Sequence, residues 1–420
     1  MAAGPVQHAL DRPTGRGPAG ARTSQVGPRP RPRAPERPPS ILILFSDTGG
    51  GHRAAARTLD AALHAVAPDV AVTWCDPLIG QGRLFARRVT SLYPVIIRRS
   101  PTAWGTIFHA TNTAPAFAAV RAVLRAQVPA VLQAQLAATD PELVLSVHPL
   151  LNHVTAAILR RRRRRAPLVT VVTDLAQVHR GWACRSAALV VVPTEMARAG
   201  VLRWGVSPSR VRVLGLPVDL RFRPPEPGER DSIRRRLGLQ PERPTVLVAG
   251  GGEGSGGLLE QVRALALAPH PWQLIVVCGR NEPARRQLLA TRLATPTLVL
   301  GFVDDMPDLM RASDLAVGKA GPGTIAEALT TGVPMVLTSY LPGQETGNVR
   351  YVAATGAGAY APRPARLLAT VEHLLTGDGV LYRQMAARAA ELARPGAALA
   401  IAASCLETAA AYRAAGQASR

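Results

Sequence analysis

A chain of 420 residues is too long for one ordinary domain and suits two of about 150–200 residues, with 47% hydrophobic content to fill their cores. No uninterrupted apolar run of about 18 residues occurs, which argues against a spanning helix. The formal charge of +22 rests almost wholly on arginine, with Lys319 the only lysine, and attracts phosphodiesters and anionic headgroups alike, while four scattered cysteines offer neither a disulfide framework nor metal-ligand spacing.

Residues 1–40 are rich in Pro, Arg and Gly, with Asp11 and Glu36 as their only acids. They read as a disordered basic tail, a transit peptide being the other reading, and are set apart from the fold. A fully buried strand is expected from Ile41, where ILILF runs into SDTGGGHR and an Ala-rich helix over 53–66. The glycines there, Gly50 and Gly51 among them, let a backbone approach a ligand closely, and the helix start adds N–H donors. His52 stands at that start. A hydroxyl acceptor needs a base titrating near neutrality, which imidazole supplies; Asp47 can orient it or be the base itself. The plainer reading is a tight turn with a packed histidine.

The stretch 83–104 interleaves Arg87, Arg88, Arg98 and Arg99 with Leu92, Tyr93, Val95, Ile96, Ile97 and Trp104. Such a surface can lie on an anionic leaflet, each basic residue contributing about 1 kcal/mol. The alternative is a core segment with solvated arginines. Apolar runs at 143–148, 168–174 and 188–193 alternate with helical stretches at 115–138 and 150–164, which implies a parallel sheet covered on both faces. His148 and Asp174 end two of those strands and point to one cleft edge, near the looser His153 and His179. Six arginines at 160–165 fit a solvated helix end, a lipid patch or a nucleic-acid patch.

Prolines 217, 224, 225 and 227 mark a linker, after which the strand–helix pattern restarts at 245–252, 273–279, 297–302, 314–318 and 334–339. The domains expected are 41–220 and 241–395, joined by 221–240, with a helix or tail over 396–420. Gly250 and Gly252 open a glycine-rich loop that formally matches a dinucleotide pattern. The next strand, however, ends at Arg280 without an acid for a ribose, which leaves a phosphate-facing loop and removes hydride chemistry. Asp304, Asp305 and Asp308 precede a helix and read as caps rather than metal ligands.

GKAGPGTIAEAL, 318–329, follows a strand and opens a helix. Backbone N–H groups at Gly321 and Gly323 and the Thr324 hydroxyl converge where a diphosphate can rest, and Glu327 can accept two ribose hydroxyls. Thr324 with Glu327 also reads as a capping box. Lys319 can offset charge on a leaving diphosphate. In LPGQETGN, 341–348, Gln344, Glu345 and Asn348 can hydrogen-bond sugar hydroxyls.

SDTGGGHR, SVHPLLNH, TDL with His179 and Trp182, GFVDDMPDLM, GKAGPGTIAEAL and GQETGN, in order across about 41–395, together resemble the monogalactosyldiacylglycerol synthase and processive diacylglycerol glucosyltransferase family. The resemblance implies a GT-B fold: two Rossmann-like domains with a cleft between them, acceptor in the first and donor in the second. It implies an inverting, metal-independent transfer of glucose or galactose from a UDP-sugar, a substrate rather than a cofactor, to diacylglycerol, giving a β-glycoside. His52 would be the base and Glu327 the ribose ligand. Phe302 and Val303 would bound the uracil; Gly321, Gly323 and Thr324 would hold the diphosphate, with Gln344, Glu345 and Asn348 at the sugar. Gly50, Gly51, Tyr93, Trp104, His148, His179 and Trp182 are the acceptor-side candidates, and Arg180 stands where the family usually has proline. The expected setting is the cytoplasmic face of an anionic membrane. Rival readings are a UDP-sugar transferase with a polyprenyl-linked or small apolar acceptor, a non-catalytic lipid-binding relative, and an arginine-rich nucleic-acid binder. The last leaves the glycine loops without purpose and has few stacking aromatics, at 4%.

Overall fold

The computed structural model describes residues 38–418 apart from 48–49, 79–95, 97–98, 163–165 and 252–256. Much of the apolar-basic stretch 83–104, including Tyr93, lies outside the described residues, as does Gly252.

Six parallel strands form the first sheet: β1 Ser40–Leu44, β2 Ala71–Cys75, β3 Leu143–Ser146, β4 Leu168–Val171, β5 Leu189–Val192 and β6 Val211–Val213, in the order β2-β1-β3-β4-β5-β6. The second has β7 Thr245–Ala249, β8 Gln273–Val277, β9 Thr297–Leu300, β10 Leu315–Lys319, β11 Met335–Ser339 and β12 Gly358–Tyr360, in the order β12-β11-β10-β7-β8-β9. β3, β4, β5 and β8 are buried along their whole length, because helices cover both faces and the Val/Leu/Ile runs suit that setting. The second sheet has the Rossmann order. The first has a flavodoxin-like order carried one strand further.

Strand order reverses between β1 and β3 in the first sheet and between β7 and β10 in the second. Ligands of open parallel sheets bind outside the carboxyl ends of the strands at such a reversal. The SDTGGGHR loop follows β1 and SVHPLLNH runs out of β3; the glycine-rich loop follows β7 and GKAGPGTIAEAL runs out of β10. Every one of these sequence motifs is therefore carried to a switch point.

Two expected boundaries differ from what the chain does. Within the expected linker, Glu229–Arg236 is a helix fixed to the second domain: Arg234, 4% exposed, donates to Asp314 at 2.6 Å, to the Ala312 carbonyl at 2.8 Å and to the Pro241 carbonyl at 2.7 Å. The same arginine demand reaches Asp305 and Asp308 of the acidic trio. Asp305 is the N-cap of Met306–Ala312 but makes no side-chain cap bond, and Asp308 pairs with Arg236 and Arg311. Ion pairing, not capping, occupies Asp308.

Of the helix or tail expected over 396–420, the chain forms the helix, Ala397–Ala418. It returns to the first domain, where Ala398, Ile401, Ala402, Cys405 and Ala409 share a core with Ile41, Ile43 and Leu59. Arg413 pairs with Glu142 at 2.9 Å on its flank. By length and composition the helical stretch Val380–Ala418 is apolar enough to cross a membrane, as is the pair Ala114–Gln127 and Pro129–Thr139, bent by 57°. Both differ from the expectation drawn from uninterrupted runs. Alanine explains it, since it raises hydropathy without making a continuous large apolar stretch and also allows close helix packing.

Ile401 is fully buried in that shared core. Ile401→Ala is therefore expected to cost about 2–5 kcal/mol in unfolding free energy. Denaturant titration checks it; a change under about 0.5 kcal/mol would mean the helix only rests on the surface.

Candidate active site

His52 lies in the first turn of Gly51–Val66, and the N-cap Gly50 has φ 80°, a left-handed turn that glycine takes without a side-chain penalty. The half-buried ring sets Nδ1 at 3.2 Å from Thr173 Oγ1, beyond β4. Burial pushes its pKa down to about 4, the nearby Val147 carbonyl, beyond β3, opposing the shift. His148 lies edge-on with ring centroids 4.6 Å apart, and burial, then the charge His52 would carry, holds it well below the ordinary histidine range. Two neutral imidazoles result. Such a ring keeps a lone pair open to a proton at any ordinary pH, but a base titrating near 4 is weaker than the near-neutral one the sequence led us to expect.

Asp47 is placed differently from its expected role beside the ring. Its carboxylate pairs with Arg53 at 2.9 Å and its N–H donates to Asp76 at 2.9 Å. Thr173 takes the position at the ring that the motif suggested for Asp47. The contiguous motif hid this partner, which comes from another strand end; its one signal was adjacency to Asp174.

Asp174 is 6% exposed and accepts from Trp182 Nε1 at 2.6 Å. Burial pushes its pKa up to about 6, opposed by Trp182, the nearby Gln344 side chain and the His179 N–H, with Glu345 adding negative charge. Trp182, an expected acceptor contact, is fully buried; its ring lies 6.2 Å from His52 and forms the floor of the site. His179 is likewise structural. Its Nδ1 accepts from the Gly181 N–H at 3.0 Å and its Nε2 meets Thr111 Oγ1 at 3.3 Å. Trp104 is half-buried on the helix Pro101–Thr111.

On the other domain, Gly318 lets β10 approach β7, since a Cβ there would stand 2.8 Å from the Ala249 carbonyl oxygen. The helix Pro322–Thr331 then starts with Gly321 as N-cap and no side-chain cap bond. Thr324 is thus inside the first turn, so the capping-box arrangement is not made and its hydroxyl is left for another partner. A Cβ at Gly323 would lie 4.0 Å from Glu327 Oε1 and touch nothing closer, so space opens there beside the carboxylate. Burial, then the negative charge of Asp219, pushes the Glu327 pKa up to about 7. Lys319 pairs with Glu345, whose other oxygen accepts from the Leu341 N–H at 2.7 Å. Asn348 donates to the Ala320 carbonyl at 2.9 Å.

Gly250 donates to the Val277 carbonyl at 3.3 Å, continuing the β7–β8 ladder. Phe302 is 56% exposed with the Arg280 guanidinium 4.9 Å over its ring, and Val303 is half-buried against the second domain's core. Four buried polar atoms near these strand ends have no partner among the described residues: Ser46 Oγ, Ser339 Oγ, Gln344 Oε1 and Asn348 Oδ1. Buried polar atoms are normally satisfied, so these four are open to a polar ligand or to water.

Comparison with known proteins was informative in both halves. The family described as monogalactosyldiacylglycerol (MGDG) synthase matches residues 52–218, and the glycosyltransferase family 28 C-terminal domain matches 245–399. A soybean (Glycine max) protein named probable monogalactosyldiacylglycerol synthase, chloroplastic, is 35% identical over 384 residues, covering 86% of this chain and 70% of its own. The crystal structure of MurG from Acinetobacter baumannii superposes with a TM-score of 0.59 at 16% identity, covering 88% of this chain and all of that one. Phytolacca americana UGT2, solved with UDP-2fluoro-glucose and pterostilbene, gives 0.54 at 11% identity, covering 89% of this chain. The fold is GT-B.

The lowered His52 pKa has a direct readout. Because burial disfavours the cation, the ring should stay neutral from pH 8 down to about 5 and titrate near 4. Imidazole carbon shifts followed by NMR across that range check this; a midpoint at 6.5 would mean a solvated ring.

Proposed function

Because the chain belongs to the monogalactosyldiacylglycerol synthase family, we propose that it transfers galactose from UDP-galactose to diacylglycerol with inversion at the anomeric carbon. The observation that carries this reading is the pairing of two switch points: a neutral imidazole on one domain, and on the other a helix start with open glycines and a carboxylate.

In this reading the acceptor hydroxyl gives its proton to His52. Its oxygen bonds to the anomeric carbon while the bond from that carbon to the diphosphate breaks, and UDP leaves with the electron pair. Attack from the face opposite UDP inverts the centre. The N–H groups at the start of Pro322–Thr331 and the Lys319 ammonium offset the charge that develops on the leaving group. The UDP-sugar is a substrate, and no cofactor enters the scheme. Glu327 accepts the ribose hydroxyls, and the unpartnered oxygens of Gln344 and Asn348 are available to the sugar.

An uncharged acceptor suits the first domain. The neighbours of His52 are a second neutral imidazole, a threonine and a buried indole, and Arg53 beside it is already paired with Asp47. A polyprenyl diphosphate would instead call for free cations there. Diacylglycerol is met only at a bilayer, so we place the enzyme peripherally on the cytoplasmic face. Ile107, 40% exposed, and Val123, 42% exposed, on the helices Pro101–Thr111 and Ala114–Gln127 support an apolar contact near the basic stretch before them.

Incubating the protein with diacylglycerol-containing vesicles and a panel of UDP-sugars should yield galactosyldiacylglycerol with a β-linkage; a product on another acceptor only would redirect the assignment. His52→Ala should lower kcat by about 10²–10⁴-fold while UDP affinity, read by calorimetry, stays close to wild type. Unchanged turnover would remove His52 from the chemistry.

The raised Glu327 pKa sets a pH dependence. The group is ionised above about 7 and protonated below, and the protonated acid loses acceptor capacity for the ribose. UDP-galactose affinity should therefore weaken about tenfold from pH 8.5 to 5.5. In Glu327→Gln it should be weak and flat over that range. A wild-type slope retained in the variant would assign it to another group.

A further inference from the structure

We propose that Thr173 is a positioning residue for His52: its hydroxyl oxygen accepts the Nδ1–H of the imidazole and leaves the Nε2 lone pair to take the proton of the acceptor hydroxyl. A neutral imidazole carries one N–H and one lone pair, so the nitrogen that holds the proton decides which one can act as a base. Thr173 Oγ1 stands 3.2 Å from Nδ1 of His52, within hydrogen-bond reach.

The fold fixes that hydroxyl. Thr173 lies just beyond β4 and is 8% exposed. Its branched side chain is stiff at χ1, so burial leaves the oxygen little choice of direction. The two carboxylates nearest in sequence to this pair are engaged elsewhere. Asp47 pairs with Arg53 at 2.9 Å, and Asp174 accepts from Trp182 Nε1 at 2.6 Å. His148, edge-on to His52, accepts the Leu150 N–H at its own Nδ1, 3.4 Å away. The Val147 carbonyl near the ring also favours a proton on it. Replacing Thr173 separates the two, since that carbonyl stays in place.

A hydroxyl suits both states of the ring. Before transfer, Nδ1–H donates to Thr173 and Nε2 is open. Once Nε2 holds the proton of the acceptor hydroxyl, the ring is a cation with a donor at each nitrogen, and the bond from Nδ1 becomes charge-assisted. An oxygen fixed in place across the step therefore favours the later state over the earlier one, which is the condition for lowering a barrier. Unlike a carboxylate, a threonine does this without setting a charge beside the imidazole, in keeping with an uncharged acceptor. The contact stands on geometry; its effect on turnover rests on the transferase reading.

The test uses the full chain with nitrogen-15-labelled histidine, the His52 signals being assigned by their loss in His52→Ala. Thr173→Val keeps the branched shape without an acceptor, and Thr173→Ser keeps the hydroxyl. Ring nitrogen shifts, UDP affinity by calorimetry, and kcat and KM for UDP-galactose with diacylglycerol vesicles are measured. The wild-type ring should carry its proton on Nδ1. In Thr173→Val that tautomer should fall at least about twofold, and kcat about 10- to 100-fold, as for loss of a hydrogen bond to a charged group. KM and UDP affinity should stay within about threefold, and Thr173→Ser should restore the tautomer and bring kcat to within about threefold of wild type. A wild-type ring protonated on Nε2 overturns the proposal with no variant needed, so it stays falsifiable where Thr173→Val does not fold. An unchanged tautomer in Thr173→Val assigns the ring to the Val147 carbonyl, and an unchanged kcat removes Thr173 from the step; either result overturns it. If the wild type turns over no UDP-sugar, the transferase reading fails while the tautomer still decides the contact.

Discussion

Two sheets covered on both faces leave polar chemistry almost nowhere to go except the strand ends. The interior positions of β3, β4, β5 and β8 are closed to water, and an unpaired ionisable group there would carry a heavy desolvation cost. Each sheet reverses its strand order once near its middle, and a crevice opens there. His52, Thr173 and Asp174 gather at one such place; Lys319, Thr324 and Glu327 gather at the other. The electrostatics follow from the same confinement. Buried and half-buried positions beside apolar sheets push imidazoles toward neutrality and carboxyls toward protonation, and shifts of this kind gather at functional sites.

What a sequence reveals here is what lies within one loop. His52 and the glycines before it, and Glu327 with the glycines before it, are each contained in a stretch between one strand and the next helix. Residue type and local pattern placed them correctly at strand ends. Contacts between loops were not readable: Thr173 meets His52 across 121 positions, and Gly347 packs against Gln177 of the other domain. The same limit misassigned partners. Asp47 is near His52 in sequence yet pairs with Arg53, and Trp182, an acceptor-side candidate, is a floor residue whose N–H bonds a buried carboxylate. Helix starts were also misread locally. Thr324 was a reasonable cap, but Pro322 fits the first helical position and moves the N-cap back to Gly321.

Arginine content shaped the second domain more than its composition suggested. Arg311 with Glu229 and Arg236 with Asp308 bind the linker helix to Met306–Ala312, and Arg230 and Arg234 reach Asp314 just beyond it. Charge that looked available for a polyanion is partly internal. Pairs of this kind lose much if one member is removed, because the other is left in a poorly solvated place.

The return of Ala397–Ala418 to the first sheet bears on the order of assembly during synthesis. Domains ordinarily close in the order in which they leave the ribosome. Here the earlier domain keeps an open seam along Leu59 and Ile43 until Ala397–Ala418 has been translated, whereas the six strands of the second sheet precede that helix. The first half can therefore close only after the second has been made, and a truncation before Ala397 would harm the portion made earliest.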